Sequence, residues 1–103
     1  MTLTSKDRAA LRAEAHHLDP IVHVGQHGLS DTLLESLDDA LRTRELVKIQ
    51  IGRQTELSAR EAAQQLAGAM RADIVQVIGK TVTLYRENPE IERKKNSLPP
   101  WRR

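Results

Sequence analysis

Three segments of the chain carry apolar residues at helical spacing, and each begins at a residue that can cap a helix. Thr4 opens the first segment, Ser30 the second and Ser58 the third. An acidic residue three positions after Thr4 and after Ser58 completes the pattern of a capping box. The pattern predicts helices, the first ending at Asp19-Pro20 and the second near Thr43. The apolar positions predicted to face the core are Leu11, Ala15 and Leu18, then Leu33, Leu34, Leu37 and Leu41, then Ala59, Ala62, Ala63, Leu66, Ala67 and Met70.

Four shorter segments predict strands. Residues 21–24 form an apolar run, and residues 46–51 alternate between apolar and polar positions with period two. Residues 73–78 and 81–85 flank Gly79-Lys80, which predicts a hairpin with a two-residue turn. The predicted order of elements is therefore α-β-α-β-α-β-β.

This order predicts an α/β fold. Two successive strand–helix–strand units imply parallel strands with right-handed crossovers, which place helices two and three on the same face of the sheet. The last strand runs antiparallel to the others. We therefore expect a two-layer domain whose second sheet face is polar and need not be covered. The residues expected on that face are Lys48, Gln50, Gln76, Thr81, Thr83 and Tyr85.

Length, charge and cysteine content narrow the class of protein. A chain of 103 residues fits one small domain, and the absence of Cys excludes a disulfide scaffold and thiol catalysis. No apolar run approaches the length of a membrane span, so a soluble, cytoplasmic protein is expected. Residues 1–85 hold ten Lys and Arg against eleven Asp and Glu, whereas residues 86–103 hold six against three. We expect a domain over residues 1–86, followed by a flexible basic tail over residues 87–103.

The stretch Gly25-Gln26-His27-Gly28, between strand one and helix two, is a candidate binding site. Glycines let the backbone approach a phosphate closely, and the free amides at the start of a helix add donors and a favourable dipole. The alternative is a tight connection that needs positive φ at both glycines. Spacing alone does not decide between the two.

Several basic residues are expected near this stretch. Parallel strands end at the same edge of a sheet, and ligands of open α/β sheets bind there. Arg53 follows strand two and Lys80 lies at the hairpin tip, although Lys80 is equally typical of a solvated turn. The first helix is expected to run antiparallel to strand one, which would bring Lys6 and Arg8 to the same edge, with Arg12 beside Arg8. Positive charge would then be concentrated on one surface.

Other chemistries fit the sequence poorly. Gly79-Lys80-Thr81 does not form a P-loop, because Ile74 stands where that motif needs a glycine and a strand follows instead of a helix. The histidines form no i, i+4 pair on a predicted helix, so no metal site is expected. No serine lies in a nucleophile elbow, and neither an enzyme nor a cofactor is expected. The chain has one Trp, one Tyr and no Phe, which excludes RNA recognition by rows of stacking aromatics.

Three motifs follow one another across residues 3–86: Leu18-Asp19-Pro20-Ile21…Val24-Gly25-x-x-Gly28, Asp38-Asp39-Ala40-Leu41-x-x-Arg44-Glu45-Leu46-Val47-Lys48 and Val77-Ile78-Gly79-Lys80-Thr81-Val82-x-Leu84-Tyr85-Arg86. Together they resemble the CRM domain, and in particular its stand-alone bacterial YhbY-type form. The resemblance implies three helices and a four-stranded mixed sheet, a fold similar to the C-terminal domain of bacterial translation initiation factor three.

The resemblance also implies a function. CRM domains of this form are RNA-binding modules associated with precursors of the large ribosomal subunit, and plant organelle relatives act in intron splicing. Their G-x-x-G loop corresponds to residues 25–28. Gln26 and His27 stand where that loop commonly carries a lysine, so a weaker or pH-dependent contribution from the loop is expected. The residues predicted to bind RNA are Gly25, Gln26, His27, Gly28, Lys80, Arg53, Lys6, Arg8, Arg12 and Lys48.

Two other functions remain open from the sequence. A protein-interaction module could act through the acidic outer face of helix two or through the tail. A small-molecule or nucleotide binder at the sheet edge is a third reading, which the lack of a P-loop disfavours. The sequence favours a monomer without fixing the oligomeric state. The carboxylates of the acidic face are Asp31, Glu35, Asp38 and Asp39.

Overall fold

The structure is a computed structural model that describes residues 4–88, and the elements follow the predicted order. Their bounds are α1 Ser5–Ala15, β1 Val22–Val24, α2 Asp31–Arg44, β2 Leu46–Ile51, α3 Ala59–Met70, β3 Asp73–Ile78 and β4 Thr81–Tyr85. The α/β class and the four-stranded sheet are thus confirmed. Residues 89–103 of the expected tail lie outside the described part of the chain.

The helix caps are those that the sequence predicts. Thr4 Oγ1 accepts a hydrogen bond from the Asp7 amide at 3.0 Å, and the Asp7 carboxylate accepts one from the Thr4 amide at 3.3 Å. Ser58 and Glu61 form the same reciprocal pair at 3.1 and 3.3 Å. Ser30 Oγ caps α2 by accepting from the Leu33 amide at 3.2 Å. Each cap satisfies donors that a helix otherwise leaves without partners.

Helix α1 ends earlier than predicted. It stops at Ala15, and the amides of His17 and Leu18 turn to carbonyls only three residues back, at 3.2 and 2.9 Å. This tightening ends the helix before the proline. Leu18 therefore lies outside the helix with 37% of its surface exposed, and its expected place in the core is wrong.

The sheet is mixed, with strand order β1-β2-β4-β3. β1 pairs with β2 in parallel, while β4 runs antiparallel to both β2 and β3, as expected. Helices α2 and α3 cover one face of the sheet and enclose the main core with it. The fully buried residues of this core include Val24, Leu37, Leu41, Val47, Ile49, Ile51, Ala62, Ala63, Leu66, Val82 and Leu84.

Helix α1 covers part of the other face, which the sequence pattern alone does not require to be covered. Leu11 packs against Val75 and Tyr85, with Leu46 beside them. Thr83 and Tyr85, expected on the surface, are each only 1% exposed. The reason is that α1 has its own apolar stripe to bury, and α2 and α3 already occupy the opposite face. The helices therefore form a layer on each side of the sheet.

The segment after β4 is tied to the C-terminal ends of α2 and α3. The Arg86 guanidinium donates to the Met70 carbonyl at 3.0 Å and to the Asp38 carbonyl at 3.2 Å, and it pairs with the Asp38 carboxylate at 2.9 Å. The Asn88 amide donates to Glu45 Oε2 at 2.7 Å. Contacts with the domain thus continue past residue 86 to Asn88.

Candidate functional site

The carboxyl ends of β1 and β2 and the tip of the β3–β4 hairpin meet at one edge of the sheet. The Gly52 amide donates to the Val24 carbonyl at 2.8 Å, and the Ile51 amide donates to the Lys80 carbonyl at 2.7 Å. The parallel pairing of β1 with β2 and the antiparallel pairing of β2 with β4 therefore bring together the segments that the sequence predicts. We call this surface the loop edge, and it consists of Gly25, Gln26, His27, Gly28, Arg53 and Lys80.

The two glycines of the loop are not equivalent. The Gly28 amide donates to the Gly25 carbonyl at 3.0 Å, which closes a β-turn around Gln26 and His27. Gly28 has φ +61°, where glycine is favoured, whereas Gly25 is not among the residues with positive φ. The alternative of a tight connection with positive φ at both glycines therefore holds only for Gly28. A Cβ atom on Gly25 would have nothing within 4 Å, so neither conformation nor packing within residues 4–88 requires a glycine there.

The start of α2 adds donors beside this turn. The Leu33 amide is satisfied by the Ser30 side chain, but the Asp31 and Thr32 amides find no acceptor within residues 4–88. The Gln26 and His27 amides likewise find none in that part of the chain. Free amides at the positive end of a helix dipole attract anions. The exposed carboxylate of Asp31 lies in the same helical turn and opposes this attraction.

Two cationic side chains stand at the loop edge. Arg53 and Lys80 are both exposed, and neither side chain forms an ion pair or hydrogen bond with any residue from 4 to 88. Both are thus available to a ligand. The hairpin turn that carries Lys80 has Gly79 at φ +56°, as a type II′ turn requires at its first central position.

Arg8 is not at the loop edge. Its Nη1 donates to the carbonyl of Ile74, at the start of β3, whereas the loop edge lies where the strands end. Leu11, one turn later, packs on Val75 and Tyr85 at the same remote end of the sheet. The expected approach of the start of α1 to the loop edge is therefore wrong for Arg8.

The three other basic residues predicted to bind RNA form no hydrogen bond or ion pair with the loop edge within residues 4–88. Lys6 and Arg12 are exposed on α1, and no hydrogen bond or ion pair in the described chain links either side chain to the loop edge. Lys48 is half-buried in β2 and pairs with Thr83, two residue pairs further from the loop edge than Gln50 and Thr81. Of the ten predicted residues, the structure brings together the six that form the loop edge.

Two open grooves flank the turn. One, of about 340 Å³, lies between β1 and α2, and we call it the β1–α2 groove. The other, of about 610 Å³, lies on the α3 side of the turn and includes the carboxylates of Glu56 and Glu61. The β1–α2 groove is lined by Ile21, Val22, His23, Gly25, His27, Gly28, Ser30, Thr32, Leu33 and Ser36, and no carboxylate is among them.

Several residues around the site escape prediction from the sequence. Gly52 is one, since a Cβ atom there would lie 2.6 Å from the Val24 carbonyl oxygen. The sequence feature that indicates this requirement is a glycine directly after an alternating strand. The groove residues Thr32 and Ser36 are others, because small polar side chains on an exposed helix face carry no distinguishing pattern.

The acidic face of α2, the alternative interface, is partly engaged within the chain. The Asp38 carboxylate pairs with Arg86, and the Asp39 carboxylate pairs with Arg42 at 2.7 Å. Asp31 and Glu35 are exposed. Within residues 4–88 no group of three or more His, Cys, Asp or Glu could hold a metal ion, and no helix is long and apolar enough to cross a membrane.

Comparison with known proteins gives consistent matches. The model of the CRS1 / YhbY (CRM) domain matches residues 3–86. The probable RNA-binding protein YqeI of Bacillus subtilis is 38% identical over 97 residues, which cover 94% of this chain and 99% of that protein. The probable RNA-binding protein MJ0652 of Methanocaldococcus jannaschii is 40% identical over 86 residues, covering 82% of this chain and 63% of that protein.

A solved structure is similar as well. The solution structure of SAV1595 from Staphylococcus aureus, a protein proposed to bind RNA, superposes with a TM-score of 0.74 at 37% identity. The match covers 95% of this chain and 100% of that one.

Proposed function

This chain belongs to the CRS1 / YhbY (CRM) domain family, and from that premise we propose that it is a non-enzymatic RNA-binding protein whose loop edge contacts the phosphates of RNA. The names of its relatives support RNA as the partner. The observation that carries the proposal is Gly25, a glycine that neither backbone conformation nor packing within residues 4–88 requires, with open space on its side-chain side.

The proposed contact is electrostatic and largely independent of base sequence. A phosphate against the turn would meet the free amides of Gln26 and His27 and the positive end of α2. Arg53 and Lys80 would supply fixed positive charge to a phosphate at the turn. Phosphate contacts of this kind position a protein on RNA without specifying bases.

The RNA that we propose is the ribosomal RNA of the large-subunit precursor, bound during ribosome assembly in the cytoplasm. The resemblance to stand-alone YhbY-type proteins supports this finer assignment. The G-x-x-G loop at residues 25–28 is the proposed phosphate clamp.

The variant Gly25→Ala tests the proposal. Because its Cβ atom has free space and its φ is not positive, its free energy of unfolding is expected to equal or slightly exceed that of the wild type. RNA affinity is expected to fall about tenfold, as when one hydrogen bond to a charged group is lost. Titration with a fluorescent fragment of large-subunit ribosomal RNA measures the affinity, and urea unfolding measures the stability.

Gly28→Ala is the matched control in the same turn. Its positive φ makes alanine costly there, and we expect a loss of stability of about 1 kcal/mol. Unchanged RNA affinity in Gly25→Ala would show that no phosphate approaches that side of the turn, and the phosphate clamp would have to be abandoned.

A further inference from the structure

The two grooves beside the turn differ in charge, and this difference selects a path for an RNA chain. Glu56 and Glu61 line the groove on the α3 side, whereas no carboxylate lines the β1–α2 groove. A polyanion that crosses the turn is repelled on the α3 side. Both grooves share His27 and Gly28 with the turn, so the nucleotide that follows a phosphate at this turn is directed into the β1–α2 groove.

The backbone of β1 offers hydrogen-bonding groups to this groove. β1 is the first strand in the order β1-β2-β4-β3, so one of its sides has no neighbouring strand. The Val24 carbonyl accepts from Gly52 of the segment after β2, and alternation along the strand then directs the N–H and C=O groups of His23 to the free side. An N–H donor next to a C=O acceptor matches the polar edge of a nucleobase.

The opposite wall of the groove comes from α2. The hydroxyls of Thr32 and Ser36, one helical turn apart, have no hydrogen-bond partner within residues 4–88. Ile21, with 44% of its surface exposed, and the half-buried Leu33 provide apolar contact. No Phe, Tyr or Trp lines this groove, so a base here would contact aliphatic and hydroxyl-bearing side chains.

The size of the groove limits what it can hold. Its volume of about 340 Å³ is near the lower end of the range for small-molecule sites. This space suits a single nucleoside and is too small for a run of stacked bases or a duplex.

We propose that the β1–α2 groove accepts the base of one unpaired nucleotide, whose phosphate lies on the turn at residues 25–28. The inference rests on the proposed RNA-binding function and adds to it a preference for single-stranded over base-paired RNA. The base lies between Ile21 and Leu33, and its polar edge faces the His23 backbone and the hydroxyls of Thr32 and Ser36.

Filling the groove tests this proposal. Ser36→Leu and, separately, Thr32→Leu place a larger apolar side chain in the groove from exposed positions of α2, where leucine is a good helix former. Thr43→Leu makes the same kind of change on the same helix, outside the groove. Each purified protein is titrated with a short single-stranded RNA and with an oligonucleotide of equal length that carries abasic residues.

The groove variants are expected to bind the intact single strand about tenfold more weakly than the wild type, a typical effect of losing one base contact. Their affinity for the abasic oligonucleotide is expected to stay at the wild-type value, and Thr43→Leu is expected to bind both as the wild type does. Urea unfolding of all three variants confirms that the fold is retained.

Two results would overturn the groove assignment while leaving RNA binding intact. One is wild-type affinity of both groove variants for the intact strand. The other is an equal loss for intact and abasic oligonucleotides, which would mean that the backbone and not the base was disturbed. Failure of the wild-type protein to bind either oligonucleotide would instead refute the proposed function and this inference with it.

Discussion

The double variant Arg53→Glu/Lys80→Glu is expected to bind RNA about 100-fold more weakly than the wild type. Both side chains are exposed and make no ion pair with the described residues, so their charges are available to phosphate. A unit charge about 4 Å from a phosphate contributes about 1 kcal/mol in water. Reversing two charges changes four such units, and screening by salt reduces the total to about 2–3 kcal/mol.

The matched control is Arg44→Glu/Arg71→Glu. It changes the net charge by the same amount, but these exposed residues lie where α2 and α3 end, at the opposite end of the sheet from the loop edge. We expect it to weaken binding no more than about threefold, through long-range attraction alone. Fluorescence anisotropy with a labelled single strand gives both affinities, and urea unfolding shows whether either variant is destabilised.

Salt dependence provides a second readout from the same titrations. Each phosphate contact with single-stranded RNA contributes about −0.7 to the slope of log K against log salt. Loss of the Arg53 and Lys80 contacts should therefore make the slope shallower by about 1.4. An equal loss of affinity in the two double variants would point to net charge and contradict a localised site.

Gly52→Ala is expected to destabilise the domain by about 2 kcal/mol, which is within the range for overpacking. Its Cβ atom would lie 2.6 Å from the Val24 carbonyl oxygen and 3.9 Å from Gly25 Cα. These are backbone atoms, and the Gly52 amide already bonds to that carbonyl at 2.8 Å. Only a separation of the β1 and β2 ends could relieve the contact. Urea unfolding measures the change.

Gly68→Ala is the control variant, and it is expected to change the free energy of unfolding in the opposite direction. Gly68 is exposed in α3, and a Cβ atom there would meet nothing within 4 Å. Because alanine is the better helix former, stability is expected to rise by about 1 kcal/mol. Wild-type stability in Gly52→Ala would mean that β1 and the segment after β2 approach each other less closely than the structure shows.

Local features of this fold could be predicted from the sequence because the information is local. The capping pairs Thr4–Asp7 and Ser58–Glu61 lie within one helical turn, and the Gly79-Lys80 hairpin needs only the residues of the turn. The position of α1 could not be predicted in the same way. Leu11 and Ala15 show that one stripe of α1 is buried, but the stripe does not specify which sheet face it covers.

The meeting of the loop segments at one edge can be predicted from the topology. The wrong predictions about this edge concern the positions of individual side chains. Because β1 and β2 run parallel and β3 ends at the hairpin tip, residues 25–28, Arg53 and Lys80 all follow strand ends at the same edge of the sheet. The position of Arg8 depends instead on how α1 packs on the sheet, where Leu11 contacts Val75 and Tyr85 and Arg8 donates to the Ile74 carbonyl, and no pattern in the sequence encodes that packing. The requirement for glycine at position 52 cannot be predicted from the sequence for a related reason. The close approach of the Val24 carbonyl oxygen, which requires this glycine, exists only after β1 and β2 pair.

The central claim is that RNA binds at the loop edge through residues 25–28, Arg53 and Lys80. Amide chemical shifts of the isotope-labelled protein, followed during titration with a single-stranded ribosomal RNA fragment, test it most directly. We predict the largest changes at the amides of Gln26, His27, Asp31 and Thr32, with smaller changes at Arg53 and Lys80. Largest changes at Arg44 and Arg71, or along the outer face of α2, with an unperturbed turn would contradict it.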